Sequence, residues 1–415
     1  MTVANGRALL AIPGPTNIPD RVLQAMIRPA EEIYSGAMVG LTDSLLSDLQ
    51  KVFRTRARTY IYAANGHGGW EAAISNVLSR GDKILVLASG RFAIGWGDMA
   101  RFMGADVEIL EGSWRASVDP AAVEERLRRD TKHEIKAVIM VQIDTASGVL
   151  NDVQAVRKAI DAAGHPALYM VDGVASLACM PYEMDAWGVD VTMSAAQKGL
   201  MTPPGLAFVA ANDKAHKAHQ TANMKTLYWD WTARQGEQHY MKYCGTPPEH
   251  LLFALRAALD MILEEGLEAV WKRHQLLAEA THAAVSKWSE GQVLSMNVLE
   301  GAQRAPSVTP VLVQGVSPEI IADYAQKICG VTLGSGIGEL SGKAFRIAHM
   351  GHVNAPMVIG TLSAIEMALA ANNIPHGAGG VAAAIAHLAH KTSVHGGEHA
   401  ETPRLGVGAP EIAPV

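Results

Sequence analysis

The chain has 415 residues, of which 49% are hydrophobic and 18% charged, an ordinary globular balance with enough apolar material for a large core. Its formal net charge is −6, and its only dense basic run is Arg126–Asp130, so it carries no footprint for nucleic acid or an anionic membrane surface. That run is expected on a solvated helix face. Three cysteines, Cys179, Cys244 and Cys329, fit neither a disulfide framework nor a metal spacing and suit reduced thiols in a cytoplasmic protein. No apolar run reaches the ~18 residues of a membrane span, and no secretory leader pattern opens the chain.

Residues 1–20 open as an extended arm, because each proline in Ile12-Pro13-Gly14-Pro15-Thr16 pushes its predecessor out of the helical region. From 59 to 211 short β-branched runs alternate with helical patterns. The strands are expected at Thr59–Ala63, Lys83–Ala88, Asp106–Leu110, Ala137–Gln142, Ala167–Val171, Val189–Met193 and Leu206–Ala210, the helices near 68–79, 91–103, 120–130 and 152–163. This order predicts an α/β fold with a mostly parallel seven-stranded sheet flanked by helices. A long helical pattern follows over Glu249–Trp288, with a break expected at Gly266. The expected division is a large domain over 21–285, a smaller α+β C-terminal domain over 286–390, and a disordered tail over 391–415, rich in Gly, Ala, Pro and His.

Two segments carry the chemistry. Asp172 closes the apolar run Tyr169-Met-Val-Asp172, and Lys198 follows the next strand in Ser194-Ala-Ala-Gln197-Lys198-Gly199. Neighbouring strand ends in a parallel sheet aim their side chains into one crevice. An acid and an amine placed there suit pyridoxal phosphate, which needs a lysine for its aldehyde and an acid for its ring nitrogen. The low charge around Lys198 favours imine chemistry by depressing its pKa. Upstream, Asn65-Gly66-His67-Gly68-Gly69 lies between a strand and a helical pattern, where backbone N–H groups can approach a phosphate. Its spacing is neither the dinucleotide nor the Walker pattern, and a plain tight turn explains it about as well.

The stretches VDGVAS, SAAQKGLMTPPG and KAFRIAHMGH, within a match running from PGPTNIPDRV to FRIAHMG, resemble the class V, fold-type-I aminotransferases, specifically the alanine/serine–glyoxylate group; HEIKAVIMV and DAAGHPAL are similar too. The resemblance implies transamination between a small L-amino acid and glyoxylate or a similar 2-oxo acid, with pyridoxal 5'-phosphate as cofactor. It makes Lys198 the catalytic, Schiff-base lysine and Asp172 the partner of the pyridine nitrogen. Gly66, His67 and Gln197 would hold the phosphate, Thr145 would contact the ring oxygen, and Arg346 would grip the substrate α-carboxylate. Tyr243 and Thr246 would reach the neighbour's phosphate across a homodimer interface, giving a shared site in a dimer or tetramer.

Several positions depart from the family pattern. Phe92 stands where a stacking tryptophan is usual, and the stretch Tyr34-Ser35-Gly36 replaces a basic pair at the substrate opening, which argues against a dicarboxylic donor. Gln142-Ile143-Asp144-Thr145 replaces His-Asn-Glu-Thr. The tail sequence His395-Gly-Gly-Glu398-His399 matches a zinc-peptidase pattern, but its paired glycines argue against the helix such a site needs, and no metal is expected. Rival readings on the same fold are a pyridoxamine–pyruvate-type transfer and a lyase or desulfurase, the latter wanting a nucleophilic cysteine. A non-catalytic binding protein is a third.

Overall fold

The computed structural model describes residues 2–393; the His395–His399 motif and all of the tail beyond 393 lie outside them. Fourteen strands are described. Strand β1 is Leu9–Ala11, β2 Arg58–Ala63, β3 Lys83–Leu87, β4 Asp106–Leu110 and β5 Ile135–Val141. A two-strand hairpin follows, β6 Ile143–Asp144 with β7 Val149–Leu150, then β8 Leu168–Asp172, β9 Val191–Ala195 and β10 Leu206–Ala211. The last four are β11 Leu294–Met296, β12 Val308–Val313, β13 Val331–Ser335 and β14 Ala344–Ala348.

Seven of these build the large sheet in the order β2-β10-β9-β8-β5-β3-β4. All neighbours are parallel except β10, which runs against both β2 and β9. The carboxyl ends of β2, β8 and β9 therefore emerge on one edge. The run IKAVIMV reads as nearly continuous apolar sequence because β5 is covered on both faces. Successive side chains point to opposite faces, and the core divides accordingly. On one face Ile84, Val86, Ile139 and Met170 pack with Trp70, Ile74 and Trp96 from helices Gly66–Val77 and Arg91–Met103. On the other, Leu85, Val138, Met140 and Tyr169 meet Leu49 and Phe53 of helix Ala37–Phe53, Val156 of helix Val153–Ala162 and Leu255 of helix Glu249–Glu265.

The sequence helix over Glu249–Trp288 breaks where expected. Gly266, at φ +85, separates Glu249–Glu265 from Leu267–Trp288. The second of these spans two cores. Leu267 and Val270 belong to the large sheet's core, whereas Leu277, Ala284 and Trp288 pack into that of a five-stranded sheet in the order β1-β13-β14-β12-β11. Strand β1 pairs in parallel with β13, so the opening arm of the chain completes the sheet built from its C-terminal third.

Two local expectations are refined. The strand after Asp172 lies two residues later than its sequence pattern suggested, at Val191–Ala195, which leaves two residues between it and Lys198. The Arg126–Asp130 run does put Arg128 and Arg129 in solvent, paired to Glu124 and Glu125 one turn earlier. Asp130 is instead buried, accepting the N–H groups of Glu134 and Ile135 and contacting His165 Nε2 at 3.1 Å. Among the described residues no helix is long and apolar enough to cross a membrane, and none of their His, Cys, Asp and Glu clusters could hold a metal ion.

Candidate active site

A cavity of about 260 Å³ opens at the carboxyl edge of the large sheet, walled in part by Gly66, His67, Phe92, Thr145, Asp172, Gln197 and Lys198. Seven sequence-selected residues thus converge. Asp172 ends β8 and is held by two donors: the Val174 N–H meets Oδ1 at 2.7 Å and the Trp70 indole N–H meets Oδ2 at 2.7 Å. Burial pushes its carboxyl up to about 6 against the pull of those two hydrogen bonds. Lys198 sits one strand over. Burial, reinforced by the charge of Arg346, lowers its amine to about 8, with Asp172 pulling the other way. An amine so shifted is partly neutral near pH 7 to 8 and can act as nucleophile or base.

Helix Gly66–Val77 begins at the cavity. Asn65 caps it, its side chain accepting the Gly68 N–H at 3.2 Å. The first-turn amides of Gly66 and His67 have no intrahelical partners and, with the helix dipole, suit an anion. His67 lies tilted against Trp70 at 4.5 Å between ring centroids, and burial together with the Arg91 charge keeps it below its usual range. Phe92 meets Trp70 edge-on at 6.3 Å.

Thr145 belongs to the tight turn between β6 and β7. Arg346, on β14 of the smaller sheet, stands behind that turn, donating from Nη1 to the Thr145 carbonyl at 3.0 Å and from Nε to the Ser335 carbonyl at 2.7 Å. Nη2 has no hydrogen-bond partner among the described residues. Burial lowers this guanidinium to about 10, opposed by Asp144.

Four selected residues lie elsewhere. Tyr34 and Ser35 are exposed, Tyr34 edge-on to Tyr240 at 6.0 Å and Ser35 hydrogen-bonded to Glu32 at 2.6 Å. Tyr243 is buried, its hydroxyl 2.8 Å from Thr42 Oγ1, and Thr246 is exposed beyond it. None of these four walls this chain's cavity, and Arg346, behind the Thr145 turn, does not wall it either. The four share one region, since His239 binds both the Ile33 carbonyl and Thr42.

The sequence reading missed Trp70 and Asp144. Trp70 is three residues beyond His67 on the same helix, close to one turn, and that spacing was the available signal. Asp144 is fully buried and accepts N–H groups of Phe92, Ala93 and Ala146 at 2.8, 3.1 and 3.0 Å. It therefore caps helix Arg91–Met103 from the hairpin and fixes Phe92 at the cavity wall. Cys179 is buried against the lysine loop and burial pushes its thiol up to about 12, which leaves no nucleophilic thiolate there. Cys244 and Cys329 do not reach the cavity.

Residues 9–350 match the family described as aminotransferase class-V. The chain belongs to that family. This aminotransferase is 42% identical over 92% of its length to a serine–glyoxylate aminotransferase of Methylorubrum extorquens, covering 96% of that protein. It is 38% identical to an L-aspartate–glyoxylate aminotransferase of Paracoccus denitrificans, over 92% of this chain and 96% of that one. Its fold resembles the solved pyridoxamine–pyruvate aminotransferase of Mesorhizobium loti, with a TM-score of 0.86 and 27% identity over 94% of this chain and all of the other. The fold-type-I architecture and the α/β class read from the sequence are those of this family.

Proposed function

We propose that this aminotransferase moves the amino group of a small L-amino acid, of the serine or alanine type, to glyoxylate or a similar 2-oxo acid, with pyridoxal 5'-phosphate held at Lys198. The observation that carries the reading is the joint placement of Lys198 and Asp172 on adjacent strand ends of one cavity, beside a capped helix N-terminus. The named substrates of the 42% and 38% identical relatives support glyoxylate as acceptor.

The residues present fit the cofactor. Gln197 Oε1 is buried at this cavity without a hydrogen-bond partner, and a bound group carrying an N–H or O–H donor would satisfy it. Gly66 and His67 would offer backbone N–H groups to the phosphate, with Gln197 beside them. Asp172, held by Trp70 and Val174, would keep the pyridine nitrogen protonated, and Thr145 would face the ring oxygen. When bound, the cofactor supplies the electron sink that allows a substrate α-carbon to lose its proton. Lys198 Nζ, shifted toward neutrality, would take up that proton. Arg346 would orient the substrate through its α-carboxylate, Nη2 being free while the other nitrogens are held by backbone carbonyls.

Tyr34, Ser35, Tyr243 and Thr246 make sense in a homodimer, where this shared region would reach the neighbour's cavity. The absence of basic side chains in Tyr34-Ser35-Gly36 argues for a donor without a second carboxylate. The test is an absorption spectrum of the purified protein, with L-serine, L-alanine, L-aspartate and glycine added in turn. A visible band that one donor removes and glyoxylate restores is the expected result. A coloured protein that none of them bleaches would sink the glyoxylate reading. The likeness to pyridoxamine–pyruvate aminotransferase favours one alternative, in which the cofactor-like molecule leaves as product; gel filtration after one turnover would then strip the chromophore.

A further inference from the structure

Residues 13–16 of the opening arm run directly across Lys198. Gly14 and Pro15 wall the same cavity as the lysine, and Lys198 Nζ donates a hydrogen bond to the Pro13 carbonyl. Gly14 has φ +102, and a Cβ built there would stand 2.5 Å from Cε, 2.6 Å from Nζ and 2.7 Å from Cδ of Lys198. The arm is also tied to the lysine's own backbone. The Thr16 N–H donates to the Gln197 carbonyl and its hydroxyl to the Lys198 carbonyl, both at 3.2 Å. On the far side, Pro13 packs on Gly334, where an added Cβ would approach Pro13 Cδ to 2.8 Å and the Arg346 Cβ to 3.2 Å. One short segment therefore touches the lysine's amine, its main chain and Gly334 of β13, which pairs with Arg346 on β14.

We propose that Pro13 and Gly14 are positioning residues for proton transfer. Once Lys198 is released from the cofactor and has taken up a proton, the Pro13 carbonyl is the acceptor for its ammonium, and Gly14 lacks a side chain so that the lysine stem can swing between that oxygen and the reacting carbon. The inference rests on the assignment of Lys198 as the cofactor lysine. In the step concerned, the substrate α-carbon gives a proton to the neutral Nζ. The electron pair of the broken C–H bond stays with the substrate and cofactor, and the resulting ammonium places one N–H on Pro13 O until its proton is returned to them. A fixed acceptor limits the geometries open to a long, flexible side chain, which is where misplacement costs rate.

The experiment uses the full-length holoenzyme with Gly14→Ala, Thr16→Val and Thr16→Ser. Borohydride reduction followed by mass analysis of the Lys198 peptide first establishes where the cofactor is attached. Single-turnover loss of the visible band is then followed with L-alanine and α-deuterated L-alanine, or the L-serine pair if serine is the donor. Gly14→Ala is expected to slow the step by roughly 10- to 100-fold and to enlarge the deuterium effect, with the donor's Kd unchanged. Thr16→Val should slow it in the same sense and Thr16→Ser should restore it. A Gly14→Ala enzyme that carries cofactor on Lys198 and transfers the proton at the wild-type rate overturns the proposal. Should that variant not fold, a Thr16→Val enzyme with wild-type rate and isotope effect does so. A wild-type Lys198 peptide that gains no mass instead overturns the cofactor-lysine assignment, and this inference with it.

Discussion

The indole N–H of Trp70 holds Oδ2 of Asp172 at 2.7 Å, joining the helix that starts at the proposed phosphate site to the carboxylate proposed for the cofactor ring. With the Val174 amide on Oδ1, it orients a carboxylate that burial alone would favour as the neutral acid. Trp70→Phe removes one charge-assisted bond while keeping most of the ring contacts with His67 and Phe92. We expect cofactor affinity to fall by about tenfold, near 1.4 kcal/mol, within the range for a hydrogen bond to a charged group. Equilibrium dialysis against pyridoxal phosphate measures it; affinity equal to wild type would remove Trp70 from the site.

Lys198 weakens the fold that holds it. Its folded-state amine, near 8, lies below the ordinary 10.5, so between those values the unfolded chain binds more protons than the folded one. Stability from this group is therefore lowest below pH 8 and rises as the pH climbs from 8 toward 10.5. Lys198→Met in the cofactor-free protein should raise stability at pH 7 by on the order of 3 kcal/mol and lose that advantage above pH 10.5. Urea unfolding at pH 7 and pH 10.5 provides the comparison, and equal gains at both would contradict the sign.

Asp172 gives a slope of the opposite sense. Its carboxyl is raised from 3.8 to about 6, so the folded cofactor-free protein binds the extra proton in that window and loses stability as pH rises through it. Asp172→Asn should flatten the melting-temperature profile between pH 4 and 6. A profile with unchanged slope would assign the pH dependence elsewhere.

Arg346→Lys leaves a positive charge but not the planar fork anchored on Ser335 and Thr145. We expect kcat/KM for the amino donor to fall roughly 100-fold, about 2.7 kcal/mol, while the cofactor stays bound. Steady-state kinetics against the donor would expose a merely structural role by a fall in kcat at unchanged KM.

Asp144→Ala orphans the N–H groups of Phe92 and Ala93 at the start of helix Arg91–Met103 and that of Ala146 in the hairpin turn. The loss of cap and acceptors should cost about 2–4 kcal/mol of stability. Denaturant unfolding of the cofactor-free variant is the check, and a change below ~0.5 kcal/mol would mean water replaces the carboxylate.

The large sheet was legible in the sequence because a strand covered on both faces must be apolar where it is covered, as residues 137–141 are. The direction of β10 was not, since an apolar run reads alike either way round. Nor was β1: three residues, Leu9–Ala11, carry no period, and their pairing with β13 bridges most of the chain. Lys198 and Asp172 could be placed together because Asp172 ends one strand and Lys198 follows its neighbour in the same sheet. The Trp70–Asp172 bond spans 102 positions, and Arg346 meets the backbone of Thr145 across 201, so neither leaves a local pattern. Tyr34 and Ser35 were chosen by their place in a family motif, a criterion blind to whether they wall this chain's cavity.

The lone reversed strand fixes a dimension. β10 lies between β2 and β9 and is paired to both, with Leu206 opposite Ala63 and Ala207 opposite Ala195. Adjacent strands are ~4.8 Å apart, so the loop that follows β2 and the lysine loop that follows β9 start about two such spacings, near 10 Å, from each other. The proposed anion pole and the amine pole of the cavity are thus gauged by backbone hydrogen bonds, whose lengths no side-chain substitution can retune. Evolution of new substrates on this scaffold is free to rewrite the cavity walls, but the span between the two poles changes only if a whole strand is gained or lost.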